Sequence, residues 1–153
     1  MSLHVVLIQP EIHWNTGNCG RTCLATGTRL HLVQPLGFSL EAKEVRRAGL
    51  DYWPKVLPCL WPDWESLEGQ LEELGEPWFF STEGDVELWD MKTSENTVLI
   101  FGGERQGLPR DVRRRYRNRL VRIPQQPDTV RSLNLSTAVA IAIYEALRPS
   151  RQK

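Results

Sequence analysis

The chain has 153 residues, 41% of them hydrophobic and 25% charged, and its 19 basic and 19 acidic side chains leave no formal net charge. That size suits one domain over residues 1–153, able to bury about two thirds of its unfolded surface without disulfide support. Three cysteines are too few and too odd for a secreted framework, the longest apolar run, Ala138–Tyr144, is far short of the ~20 residues that span a bilayer, and no leader pattern precedes His4; a cytoplasmic protein without a membrane segment is expected.

His4–Gln9 is a β-branched and apolar run suited to a strand buried on both faces. In the stretch that follows, Asn15 or Thr16 can cap a helix that Gly27 closes, and Gly17 and Gly20 leave its first turns without bulk. Glycines weaken a helix, so two of them there suit the close approach of another backbone or a ligand. Cys19 and Cys23, four apart with only His13 nearby, read as small buried hydrophobes, and no metal is expected. Arg21 leans back over the Gly17-Asn18 turn, because helical side chains point toward the N-terminus, and lies beside a helix end that favours anions.

Arg29–Gln34 is a second strand, followed by a Pro35-Leu-Gly37 turn and a helix over about 40–48 that carries Lys43, Arg46 and Arg47. Asp63 caps a further helix with Trp64, Leu67, Leu71 and Leu74 on one face and a solvated acidic face opposite. Trp78–Thr82 and Thr97–Phe101 read as strands. Strands alternating with helices over so short a chain predict an α/β fold, a mostly parallel sheet with helices on both faces. Phe101 runs into Gly102-Gly-Glu-Arg-Gln-Gly107-Leu-Pro109, a loop that permits backbone approach to a ligand but matches neither the dinucleotide fingerprint nor the phosphate loop of nucleotide hydrolases.

Charge is segregated along the chain. Val56–Met91 holds ten acidic residues and no Lys or Arg, which leaves the remainder with a surplus of +10. Seven arginines and no lysine fall between Arg110 and Arg122, a bias that suits bidentate recognition of phosphate. Leu120–Pro124 is the last strand, and Gln125–Ser132 a polar loop at its carboxyl end, where open α/β sheets bind ligands. Ser132 or Asn134 can cap the final helix, which Pro149 stops. Its stripe of Leu135, Ala138, Val139, Ala142, Ile143, Ala146 and Leu147 faces the core. A second row at Thr137, Ile141, Tyr144 and Arg148 is half apolar and suggests a second covered face, against a partner subunit.

Three segments thus stand at strand ends: Asn15-Thr-Gly-Asn-Cys-Gly-Arg21, Phe101–Pro109, and Ile123-Pro124 with Ser132-Leu-Asn-Leu-Ser136. In this order and spacing they resemble the three motifs of the SPOUT class of S-adenosylmethionine-dependent RNA methyltransferases. With Arg46-Arg-Ala-Gly-Leu-Asp-Tyr52 and Tyr144-Glu-Ala added, the chain is most similar to the single-domain members that methylate the ribose 2′-hydroxyl of the tRNA wobble nucleotide, a cytidine or modified uridine at position 34. His13-Trp14 and Gly103 stand where such proteins often have prolines.

The resemblance implies a C-terminal deep trefoil knot, an S-adenosylmethionine site at Phe80, Gly102, Ile123, Ser132 and Leu133, and a homodimer whose sites include residues of both subunits. It assigns Arg21 to catalysis at the ribose. Asn134 and Tyr144 are candidates for orienting the hydroxyl, and Glu104 for aligning the loop or cofactor. The tRNA would be held on the dimer's basic surface, with Arg46, Arg47, Arg110 and Arg114 as candidates. The alternatives are the same chemistry on another tRNA or rRNA nucleotide, or a non-catalytic RNA-binding protein of this fold; an oxidoreductase is disfavoured by the missing glycine fingerprint.

Overall fold

The structure is a computed structural model and describes residues 1–41 and 51–151. The strands are β1 (Ser2–Ile8), β2 (Arg29–Val33), β3 (Cys59–Trp61), β4 (Glu76–Phe80), β5 (Val86–Glu87), β6 (Asn96–Phe101) and β7 (Leu120–Arg122). They form one parallel sheet in the order β3-β2-β1-β6-β4-β7-β5, so every carboxyl end lies on the same edge. The described helices are α1 (His13–Thr26), α2 (Trp53–Val56), α3 (Trp64–Glu68), α4 (Leu71–Leu74), α5 (Arg110–Arg115) and α6 (Leu135–Leu147). The sequence-predicted helix over 40–48, with Arg46 and Arg47, falls almost wholly outside the described residues.

The period-two alternation of side chains along a strand explains the layering. Val5, Leu7, Phe80 and Val121 join Cys19, Cys23, Val139, Ala142 and Ile143 on one face, beneath α1 and α6. Val6, Ile8, Phe79 and Leu120 join Trp64, Leu67, Leu71 and Val112 on the other, beneath α3, α4 and α5. Phe79 has no exposed surface and lies between Tyr116, stacked at 4.3 Å, and Trp64, edge-on at 6.0 Å. The expected burial of the cysteines holds: burial pushes both thiols up, Cys23 to about 12.

Several local expectations are corrected. Asn15 and Thr16 do not cap α1; they are buried inside it, and the residue at the cap position, Ile12, offers no side-chain acceptor. Gly27 does close the helix, in the left-handed conformation. Gly20 allows close packing, since a Cβ there would lie 2.7 Å from Trp53. Asp63 caps α3 as expected, but the helix ends at Gly69 and α4 starts afresh, so Trp64, Leu67, Leu71 and Leu74 lie on two short helices. Asn134, not Ser132, caps α6, accepting from the N–H groups of Ser136 and Thr137.

β5 follows β4 in sequence, yet β7 lies between them. Residues 81–85 therefore cross over β7. Gly84 rests directly on that strand, where a Cβ would come within 2.7 Å of the Val121 backbone. The chain leaving β7 goes on to α6, which packs beside α1, and this strand order is consistent with the expected knot. Among the described residues no helix is long and apolar enough to cross a membrane.

Candidate active site

A cleft of about 880 Å³ opens at the carboxyl ends of β4, β6 and β7. Its volume is in the range of sites for ligands of drug or cofactor size. Phe80, Gly102, Ile123, Ser132 and Leu133 all line it, so five residues from four separate stretches converge as expected. The Phe80 and Phe101 rings stack at 4.6 Å beside it, giving an apolar floor under backbone groups that strand ends leave free. Gln125 and Arg131 from the polar loop add a hydrophilic wall.

Gly102 belongs to the cleft for a different reason from the one anticipated. A Cβ on Gly102 would lie 2.0 Å from the Gly107 carbonyl carbon and 2.2 Å from the Leu108 nitrogen. The glycine is required by the closure of its own loop, which a bridge between Gly103 and Gly107 completes, and not by ligand approach. Gly107 supplies the positive φ of 65° at which that loop turns.

The three motif segments are tied together by one polar chain. Glu104 accepts from the Glu11 N–H at 2.7 Å, the Ile12 N–H at 3.1 Å and the Asn15 amide at 3.4 Å. The carboxylate thereby satisfies the N–H groups of the two residues just before α1 and the Asn15 side chain within its first turn. Asn15 in turn accepts from the Asn134 amide at 3.1 Å, and the Asn134 oxygen caps α6. The sequence motif contained Asn15, but its role as the buried bridge between loop and helix was not read from it; only the tertiary pairing shows it. Glu104 is a structural tie to two helix starts as well as a lining residue.

Arg21 and Tyr144 do not border this cleft, whereas Asn134 does. Arg21 is six residues beyond Asn15 on α1, about 9 Å along the axis, and Tyr144 is ten beyond Asn134 on α6, about 15 Å. Arg21 does lean back as expected: its guanidinium lies 5.7 Å from the centroid of the Tyr52 ring, and the Tyr52 hydroxyl donates to the Gly17 carbonyl at 2.8 Å. Tyr144 is 60% exposed.

The arginine cluster divides in two. Arg113 pairs with Glu83 at 2.9 Å, Arg115 with Glu68 at 2.6 Å and Arg122 with Glu87 at 2.8 Å, while Arg119 approaches Glu76 at 3.9 Å and covers the Trp78 ring at 3.7 Å. All four carboxylates come from the acidic stretch; on the helices after Asp63, Glu68 is engaged, while Glu65, Glu72 and Glu73 stay exposed as expected. Arg110, Arg114 and Arg117 are exposed and make no ion pair with a described residue.

Comparison with known proteins adds a family. The SpoU rRNA methylase family matches residues 2–144. The tRNA (cytidine(34)-2′-O)-methyltransferase of Methylovorus glucosotrophus is 44% identical over 146 residues, covering 94% of this chain and 93% of its own. That of Polaromonas is 42% identical over 147 residues, with coverage of 95% and 89%. Among solved structures, one giving structural insights into the 2-OH methylation of C/U34 on tRNA superposes with a TM-score of 0.89 at 42% identity, over 99% of this chain and 98% of the other. An S-adenosylmethionine-bound rRNA methyltransferase from Sinorhizobium meliloti superposes with a TM-score of 0.80 at 26% identity, over 97% of this chain and 56% of the other.

Proposed function

The chain belongs to the SpoU rRNA methylase family, and from that premise we propose that it transfers a methyl group from S-adenosylmethionine to the ribose 2′-hydroxyl of nucleotide 34 in the tRNA anticodon loop. The observation that carries this reading is the convergence of Phe80, Gly102, Ile123, Ser132 and Leu133 on one cleft at the strand ends. Its chemistry fits the cofactor: S-adenosylmethionine has no phosphate, and the cleft offers aromatic and aliphatic walls with backbone groups and a serine in place of a phosphate loop.

When bound, the cofactor supplies an electrophilic methyl on a cationic sulfonium. The protein's task is to place the ribose oxygen in line with it and to stabilise the charge that develops there. Asn134 is held rigid by Asn15 and borders the cleft, which suits it to orient the hydroxyl. Arg21 serves as a clamp on the ribose or its phosphate, not as a base, because a guanidinium carries donors and no acceptor. Because Arg21 and Tyr144 do not line the cleft of their own chain, they act at that of a second copy. The exposed row Thr137, Tyr144 and Arg148 is where that copy packs. Arg110 and Arg114, with Arg46 and Arg47, hold the tRNA by its phosphates, and such a substrate places the enzyme in the cytoplasm.

Calorimetric titration with S-adenosylmethionine, followed by ribose-methylation mapping of tRNA incubated with the protein, tests the reading. Binding with new methylation at nucleotide 34 is the expected result. No cofactor binding, with or without tRNA, sinks it in favour of an RNA-binding scaffold, and methylation at a different nucleotide replaces the target.

A further inference from the structure

Trp14 is 58% exposed on the first turn of α1, and the contact recorded for its ring is the edge of His13, centroids 4.9 Å apart. Its backbone is nonetheless firmly placed. Glu104 grips the two N–H groups just before the helix, and Ile12 and Asn15 on either side of Trp14 line the cleft. A large, pre-positioned aromatic surface therefore stands at the rim of the site. Seven residues, two helical turns, separate Trp14 from Arg21, so both lie on one face of α1, about 10 Å apart. Asn18, between them on that face, is also exposed.

An exposed, pre-positioned aromatic ring is a platform on which an unpaired nucleotide stacks its base. Resting on the tRNA reading above, we propose that Trp14 is a stacking platform for a nucleobase of the anticodon loop next to the nucleotide being methylated. The platform selects for an unpaired loop, because a base inside a helix has no free face to offer. It makes Trp14 a substrate-binding residue distinct from the cofactor cleft.

The test uses a fluorescent anticodon stem-loop RNA and the full chain carrying Trp14→Ala or Trp14→Phe. S-adenosylmethionine titration of each variant establishes that the fold and the cleft are intact. Trp14→Ala is expected to weaken RNA binding about 10-fold while cofactor affinity stays unchanged, and Trp14→Phe to recover most of the loss. Replacing the loop nucleotides one at a time by abasic residues should identify one position at which Trp14→Ala costs nothing further. Equal RNA affinity in Trp14→Ala and the unaltered protein overturns the proposal. So does a change in sedimenting mass without a change in the abasic pattern, which would make Trp14 a contact between copies. Absence of cofactor binding in the unaltered protein would instead be a failure of the methyltransferase reading.

Discussion

Glu104 anchors the chain entering a helix that begins more than ninety residues before it in the chain. Replacing it by alanine leaves the Glu11 and Ile12 N–H groups and the Asn15 amide without their acceptor, and each unsatisfied buried donor costs about 1–3 kcal/mol. Glu104→Ala should therefore lower the urea midpoint by the equivalent of about 2–3 kcal/mol and weaken S-adenosylmethionine binding, since the loop and α1 lose their common anchor. Glu104→Gln, which keeps one acceptor oxygen, should lose less. Equal midpoints for all three proteins would show that the contacts carry no free energy. At Gly102 the neighbours are backbone atoms that cannot swing aside, so even Gly102→Ala should abolish calorimetric cofactor binding; an alanine variant that binds normally would mean the loop has another way to close.

At the scale of the elements, the edge strand β3 and its neighbour β2 are joined to β1 by a directed chain of rings. The Trp61 indole donates to His31 Nδ1 at 3.0 Å, which leaves His31 Nε2–H to donate to His4 Nδ1 at 2.9 Å, and His4 Nε2–H to donate to Ser2 Oγ at 2.8 Å. Both imidazoles must be neutral for this chain to hold. Burial, then the charges of His4 and Arg29, pulls His31 down to about 4, and burial with Arg29 lowers His4 as well. An unfolded histidine titrates near 6.5. Between those values the unfolded chain takes up a proton that the folded chain refuses, so stability present above about pH 6.5 is lost as the pH falls toward 4. The expected loss between about pH 7 and pH 5 is on the order of 2 kcal/mol, read as a falling urea midpoint. His31→Gln should flatten that dependence; an unchanged slope would place the sensitivity in other groups.

At the scale of the whole molecule, Arg21 and Tyr144 do not line the cleft their own chain builds, and the proposed dimer with shared sites accounts for that. Ser132→Trp fills the cleft from an exposed loop position, while Arg21→Ala leaves the cleft intact. Each variant alone should be inactive. Co-expressed, they should regain methylation, because a mixed dimer pairs one sound cleft with one Arg21; continued inactivity would mean that Arg21 serves its own subunit. For the RNA surface, Arg110→Ala and Arg114→Ala should each reduce the salt dependence of tRNA binding by about one phosphate contact. Arg115→Ala should instead act on stability, since its guanidinium is held by Glu68. A changed salt slope with no loss of stability in Arg115→Ala would reverse that assignment.

What the sequence determined by itself was everything carried by local pattern. Apolar runs marked β1, β2, β4, β6 and β7 but not the short β3 and β5, the stripe from Leu135 to Leu147 marked the helix that is α6, and Gly27 and Asp63 marked a stop and a cap; three short motifs at strand ends were enough to indicate the family and the cleft residues. These are legible because alternation, capping and turn chemistry act over a few neighbouring residues. What only the tertiary structure decided depends on partners distant in the chain. Charge is segregated along the chain, yet folding sets Glu68, Glu76, Glu83 and Glu87 against Arg115, Arg119, Arg113 and Arg122, and Glu76 and Glu87 arrive because the parallel sheet brings β4 and β5 to either side of β7. Asn15 looked like a cap and became a bridge, and the chain entering α1 is held by Glu104 from the loop after β6. Electrostatic and hydrogen-bond satisfaction is decided by proximity in space, and no local pattern encodes which distant group will arrive.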